Sequence, residues 1–415
     1  MTTEHTAQSN NTRQRIAVIG AGPVGLEAAV AAARLGYPFN LYEAGDAAAN
    51  VRSWGRVVLF TPFSMNHSQA GAEAIRADSG ADRLLPTDDA LLSGDEYTER
   101  YLQPLASSSL LSKHVHLRHR VIAVGRSGLL KSQAIGSPER AKKPFCLLVE
   151  TNAGQEKIVE ADIVIDASGV YQTPNRIGPG GIYTVGERSL NGLISYHLDD
   201  ITGVHRERYI GKRTLLVGSG YSAATSIVSL HTLVEADAKT EITWLTHGQH
   251  HPPIHEIEND RLPARHALAR QANRIAMDAH QRIRHEPGAV VERLEPTDRG
   301  TVRAHIADRK GKALTVEVDR ILANVGYQPD RSLYAELQVH ECYATMAPMR
   351  LAASLMKEAS ADCLDRQASP AETLVNPESG FFILGMKSYG RDPTFLIQTG
   401  IAQVSQAFSL LSRSV

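Results

Sequence analysis

Two strand–turn–helix modules of one plan, the second nested inside the first, make this an α/β chain by its sequence, and three observations predict it. A short apolar run, Ile16 to Ile19, enters the glycine turn Gly20-Ala21-Gly22-Pro23-Val24-Gly25 and then an alanine-rich helical pattern ending near Leu35 and Gly36. The plan recurs after Lys212, where Thr214 to Val217 enters Gly218-Ser219-Gly220-Tyr221-Ser222-Ala223 and a helical pattern to about Leu233. Each module also has a closing segment later in the chain. Asp162 to Pro174 closes the first and Asp319 to Pro329 closes the second, both ending in Tyr-Gln before a proline, which marks an internal duplication.

In the first module Gly20 permits a tight turn, Gly22 lets the backbone approach a pyrophosphate, and Gly25 lets the helix lie close on its strand. Pro23 opens the helix, whose free N–H groups and partial positive charge favour a phosphate. A second β-type run, Phe39 to Tyr42, ends at Glu43, 23 residues after Gly20, where a carboxylate accepts hydrogen bonds from ribose hydroxyls. Strand, turn, helix and acidic tip together read as a dinucleotide site.

The second module keeps Gly218, Gly220 and Ser222 but has Ala223 at the third glycine. Its second strand, from Glu241, ends Trp244-Leu245-Thr246-His247 with no acid at the tip. A carboxylate there would repel a 2′-phosphate, whereas Thr246 and His247 can donate hydrogen bonds to it, so NADP is favoured and NAD is left open. The C-terminal part, a strand-like Gly380 to Gly385 and a helical pattern from Phe395 to Leu411, lacks a complete βαβ unit. The simplest organisation is two Rossmann-like dinucleotide-binding domains: residues 203–325 inserted into a first domain built from 1–202 and 326–415.

Composition narrows the function classes. A net charge of -1 and a pI near 7.0 give no field for a nucleic-acid backbone or an anionic membrane. Cys146, Cys342 and Cys363 are too few and too scattered for a disulfide framework or a CxxC pair, which fits a reducing compartment. The first fifteen residues are polar, with no apolar stretch of the kind a secretory signal needs, and nothing approaches the ~18 apolar residues of a membrane span. A cytoplasmic protein acting on a small molecule is expected, with neither nucleic acid nor membrane as partner. Nothing in the sequence fixes an oligomeric state.

The arrangement resembles the two-dinucleotide-binding-domain flavoproteins, nearest to the flavin-containing monooxygenase and thioredoxin-reductase-like branches. The first fingerprint with Glu43 is similar to their FAD site, Asp166-Ala167-Ser168-Gly169 with Pro174 to their crossover, and Tyr209-Ile210-Gly211-Lys212 to the segment before their NADPH site. Tyr101 to Ala106 resembles a monooxygenase helix, and Ser53-Trp54-Gly55 resembles that family's tryptophan after the ribose-binding acid. The resemblance spans nearly the whole chain and implies FAD bound by Gly20, Gly22, Pro23, Gly25, Glu43, Trp54, Ser168 and Gly169. It further implies that Gly385, Lys387 and Arg391 meet the flavin ring, the alternative being a solvated basic turn. Two departures stand out. The FxGxxxH signature is broken, since Gly192 lies five residues before His197 and Leu190 replaces the aromatic. For the family's active-site asparagine the sequence offers Asn66, four residues past Pro62, which falls near its place.

The expected function is therefore an FAD-dependent oxidoreductase taking hydride from NAD(P)H, with flavin monooxygenation as one outlet. Reductase or dehydrogenase turnover without productive oxygen use, and non-catalytic nucleotide sensing, are the alternatives. Disulfide chemistry needs two neighbouring thiols, and no such pair exists; Cys342 stands as a single redox thiol or a packed side chain. Trp54, Phe60, Phe63, Met65 and Asn66 read equally as a dry pocket beside the flavin or as core. His247, His250, His251, His255, Glu256 and Glu258 have ligand chemistry, but Pro252, Pro253 and irregular spacing favour a polar loop over a metal site, so no metal is expected.

Overall fold

The computed structural model describes residues 13–78, 85–190, 192–278, 280–308, 311–357, 362–365 and 369–413. In the first module β1 (Ile16–Ile19), β2 (Phe39–Tyr42) and β3 (Val115–His116) lie parallel. An antiparallel sheet follows, β4 (His119–Arg126), β5 (Phe145–Thr151) and β6 (Glu156–Ala161), and then β7 (Ile163–Asp166) returns beside β1. Every residue of β1 and β7 is buried, which is why β1 is an unbroken apolar run and β7 is apolar up to Asp166 at its end.

The second module repeats this plan. A two-residue strand β8 (Ile194–Ser195) is followed by β9 (Arg213–Val217), β10 (Glu241–Thr246) and β11 (Ile283–Pro287). Next come an antiparallel sheet, β12 (Ala289–Pro296), β13 (Val302–Asp308) and β14 (Ala313–Val318), and the closing strand β15 (Arg320–Ala323) beside β9. The last strand, β16 (Phe381–Ile383), pairs with β7. The parallel sheets thus run β16-β7-β1-β2-β3 and β11-β10-β9-β15-β8. A mixed α/β architecture with two parallel sheets is the result, and the duplication extends to the small antiparallel sheet that each module carries.

Helix Pro23–Arg34 packs between the first sheet and helix Ile397–Arg413. Helix Tyr221–Ala236 packs against helix Pro263–Met277 in the second module. Leu26 and Val30 are core residues, whereas Leu35 caps the helix C-terminus and is 44% exposed. The polar stretch 127–143 is mostly turns, with a helical turn at Pro138–Ala141. Among the described residues no helix is long and apolar enough to cross a membrane.

Candidate functional site

In the first fingerprint Gly20 has φ +100°, and a Cβ there would lie 2.7 Å from the Ala167 carbonyl oxygen. A Cβ on Gly25 would sit 1.8 Å from the Gly20 carbonyl oxygen, so the helix can approach its turn only as glycine. Gly22 differs from both: its φ of -80° suits any residue, and a Cβ would meet nothing within 4 Å. It is the helix N-cap, with no side chain capping the first turn, so the helix presents backbone N–H groups. Glu43 accepts the Ala21 N–H at 2.7 Å and the Gly45 N–H at 2.8 Å, which ties the carboxylate to the glycine turn.

The closing segment and the C-terminal segment converge on that turn. Asp166 accepts the Ser168 hydroxyl at 2.6 Å and the Lys387 ammonium at 2.7 Å, and the Leu384 N–H bonds the Asp166 carbonyl. Lys387 is 1% exposed, so the solvated basic turn is excluded for it, and its charge is held by Asp166 and Ser168. A buried pair of this kind fixes the two segments together, since removing either partner strands the other charge. Gly385 has φ +75°, and its Cβ would meet Val24 at 3.3 Å, placing it beside the start of the first helix. Arg391 is exposed, and its guanidinium is held by Gln328 at 2.5 Å.

The second fingerprint has the same parts. Gly218 has φ +143°, with a Cβ 2.2 Å from the Asn324 carbonyl oxygen, the counterpart of the Gly20–Ala167 contact. Gly220, the N-cap at φ -89°, again meets nothing within 4 Å and has no side-chain cap. Ala223 is buried and Ser222 exposed. At the strand tip Thr246 is 1% exposed; its hydroxyl donates to the Gly248 carbonyl at 3.3 Å and lies 3.0 Å from His285 Nε2. The expected Thr246 donor to a 2′-phosphate is therefore buried and already spent, because its hydroxyl is taken by the Gly248 carbonyl and the His285 ring of the neighbouring strand. His247 is exposed.

Sequence reasoning missed what lies between the fingerprints. The two closing segments pair with each other: the Asn175 N–H bonds the Gly326 carbonyl and the Gln328 N–H bonds the Thr173 carbonyl, both at 2.9 Å. Their duplicated tyrosines, Tyr171 and Tyr327, stack at 5.0 Å, and His197 stacks on Tyr171 at 4.4 Å. Trp54 stands edge-on to Tyr171, and Phe60 meets Tyr221 at 5.6 Å across the two modules. His197 thus occupies the junction although its motif spacing is broken; the repeated Tyr-Gln of the closing segments was the available signal. Burial lowers the His197 pKa and raises that of Tyr327, so both stay neutral around pH 7.

Other candidates lie elsewhere. Asn66 is 2% exposed, and its amide is used within its own turn, donating to the Thr61 and Pro62 carbonyls and accepting the Thr61 hydroxyl. Of the pocket candidates, Phe63 is core and Trp54, Phe60 and Met65 are half-buried. All three cysteines are free; Cys342 packs against Ala347 and Ala352, and hydrogen bonds from Thr345 lower its pKa. The histidine-rich loop after Thr246 forms no three-ligand cluster among the described residues. The one such group there, His231, Glu235 and His280, is a hydrogen-bonded set: His280 Nδ1 accepts the Arg282 N–H, which leaves Nε2–H facing Glu235.

Fold and paired glycine turns define the class by its build: an α/β chain with two Rossmann-like modules, folded like FAD/NAD(P)-binding reductases and N-hydroxylating monooxygenases. No family model matches the chain, and no curated protein matches it. Among solved structures it is similar to a bacillithiol disulfide reductase from Bacillus cereus, at 18% identity, 97% of this chain, 99% of that one and TM-score 0.67. It is also similar to an ornithine N-hydroxylase from Kutzneria, held with reduced FAD, NADP+ and L-ornithine, at 14% identity, 97% and 99% coverage and TM-score 0.65. A thioredoxin reductase from T. acidophilum matches at 17% identity, 97% and 99% coverage and TM-score 0.59. At these identities the likeness is one of fold.

Proposed function

We propose that this chain is an FAD-dependent oxidoreductase that takes hydride from NAD(P)H and passes the electrons to a small molecule or to oxygen. In this reading residues 1–202 and 326–415 hold FAD and residues 203–325, inserted between them, hold the nicotinamide dinucleotide. One observation carries it. Neither Gly22 nor Gly220 needs to be glycine for the protein's own sake, because each has an ordinary φ and a Cβ at either would touch nothing within 4 Å. Two such glycines, each N-capping a helix with no side-chain cap, fit two pyrophosphates.

The residues present fit FAD in the first module and a nicotinamide dinucleotide in the second. Bound together, the two cofactors supply a hydride donor and a hydride acceptor. The chain supplies placement. Gly20, Gly22 and the N–H groups of the first helix seat one pyrophosphate, and Glu43 faces the adenosine ribose. Gly218, Gly220 and Ser222 seat the other. Trp54, Tyr171, His197 and Tyr327 wall the junction between the two loops and exclude water there, which protects a reduced cofactor from wasteful oxidation.

Oxygen is the favoured outlet for the electrons, since three separated free thiols cannot form the pair that disulfide exchange requires. The same free thiols fit a reducing, cytoplasmic setting. The departures at Gly192 and Leu190 favour the second reading, an NADPH-dependent reductase or dehydrogenase. The deciding experiment is the absorbance spectrum of the purified protein, followed by its bleaching with NADPH under nitrogen. A yellow protein that releases FAD and is bleached in many turnovers supports the proposal; a colourless protein that cannot take up FAD overturns it. Product analysis across amines and thioethers, against peroxide yield, then separates the two readings.

A further inference from the structure

The end of β10 is where a Rossmann unit meets the adenosine ribose, and NADP-selective units usually place an arginine there. This chain has no lysine or arginine between Thr240 and Asp260, yet it has His247, His250, His251 and His255 there. Their arrangement is layered. His285 on β11 lies under the tip, tilted against Trp244 at 5.0 Å, with Nε2 3.0 Å from the Thr246 hydroxyl. His251 stacks on His285 at 5.9 Å with ring planes 9° apart, and His247 and His250 are exposed in the same loop. Burial, with the charge of His251 beside it, pushes His285 down to about 4, so the inner ring is neutral at physiological pH.

Resting on the NAD(P)H reading above, we propose that His247 and His251 are the specificity-determining groups for the second dinucleotide, recognising a ribose 2′-phosphate as imidazolium ions. The preference for the phosphorylated cofactor is then set by pH. Imidazole is the side chain whose charge changes between pH 5 and 8, whereas an arginine would hold the phosphate at every physiological pH. The other charged groups around the tip leave this assignment intact. Glu286 on β11 is paired with Arg284, Glu256 in the loop is bonded by Asn273 of helix Pro263–Met277, and Glu258 and His255 lie farther along the loop.

The sign of the pH dependence separates the protein from its ligand. A sugar phosphate gains its second negative charge near pH ~6, which by itself tightens binding as pH rises. Loss of a required imidazolium does the reverse, weakening binding by up to about tenfold per pH unit for one essential proton. Adenosine 2′,5′-diphosphate and adenosine 5′-monophosphate are the probes, titrated by calorimetry onto the flavin-loaded protein at pH 6.5 and 8. The diphosphate should lose about tenfold in affinity between these values, while the monophosphate, which lacks the 2′-phosphate, should not weaken. His251→Arg should weaken that pH dependence, leaving only the part due to His247, and hold the diphosphate more tightly than the native protein at pH 8, and His247→Gln/His251→Gln should bind both probes alike. Equal diphosphate affinity at both pH values, or full discrimination kept by the double glutamine variant, overturns the proposal. Binding of neither probe by protein that carries FAD overturns instead the nucleotide reading of the second module, a distinct failure.

Discussion

In the first module the helix opens on Pro23, the third glycine leaves 1.8 Å where a Cβ would go, and the second strand ends in an acid bonded to the glycine turn. In the second module the helix opens on Tyr221, a methyl group is accommodated at Ala223, and the strand ends in a buried threonine backed by His285. Between these differences the parts that would face a pyrophosphate are alike. Both modules have a first glycine in a left-handed turn against a closing-segment carbonyl, and both have a second glycine with nothing beside it. Duplication has kept what any dinucleotide requires and changed what distinguishes one from another. In the proposed reading, the ribose end of each module therefore carries the choice of cofactor.

The hardest test of that division is to fill the two spaces in turn. Gly22→Val should fold, because its backbone suits an L residue, and yet purify without flavin, since the side chain occupies the phosphate's position. Gly220→Val should keep its flavin and lose bleaching by NADPH by at least about a hundredfold, the loss of several charge-assisted hydrogen bonds. Flavin content and stopped-flow reduction read the two effects separately. If either variant impairs both activities alike, the modules are not independent sites.

A smaller effect is expected at the third glycine, where the modules differ in packing. Gly25→Ala drives a methyl group into the Gly20 carbonyl, and overpacking of this kind costs about 1–3 kcal/mol, with flavin lost as the turn shifts. The reciprocal change, Ala223→Gly, creates no clash and costs about 1 kcal/mol in helix propensity. Thermal melts should therefore place Gly25→Ala well below Ala223→Gly. The reverse order would show that the first helix does not lie on its turn as closely as the geometry states.

At the ribose end the expected changes are graded. Glu43→Gln replaces one of two carboxylate acceptors with a donor facing the Ala21 or Gly45 N–H, and should weaken FAD by about 1–3 kcal/mol, measured by titrating apoprotein. His247→Asp puts a carboxylate at the acid-free tip and should move the ratio of kcat/KM for NADPH over NADH toward NADH by about tenfold, the scale of one lost ionic hydrogen bond. An unchanged ratio would remove His247 from the cofactor and leave the choice to His251.

Much of this was legible in the sequence because it is local. Gly20, Gly22, Gly25, Gly218 and Gly220 announce their roles by spacing, and Glu43 by its distance along one βαβ unit. Lys387 could not be read the same way, since its partner Asp166 lies 221 residues away and only the fold shows that the charge is buried. Thr246 was misjudged for a related reason: strand alternation does not reveal that His285, on the neighbouring strand, and the Gly248 carbonyl occupy its hydroxyl. The junction of Tyr171, Tyr327 and His197 is again long-range, although the repeated Tyr-Gln of the closing segments shows that two equivalent residues exist. What pairs across the chain needs coordinates; what turns the backbone within a few residues does not.

The smallest expected effect concerns Cys342, the one thiol whose pKa is lowered, and it asks whether the asymmetry between the modules includes a redox group. Cys342 sits in the loop that closes on the Lys387–Arg391 segment: the Arg391 N–H bonds the Thr345 carbonyl, and Thr345 also hydrogen-bonds the thiol. That places sulfur on the first module's side, where a reactive thiolate would be useful. Yet the lowered pKa has hydrogen bonding as its leading cause, with no cation beside it, and a thiolate that attacks a disulfide needs a second thiol to resolve the adduct. Cys146, on β5, and Cys363, bonded to Arg265, are both free and belong to other parts of the fold. Cys342→Ser preserves the hydrogen-bonding pattern and removes only the sulfur, so turnover of NADPH should stay within about twofold and stability within about 1 kcal/mol, the range of a near-isosteric change. Turnover abolished while FAD is retained would make Cys342 the centre of the chemistry and shift the assignment from oxygen to thiol exchange.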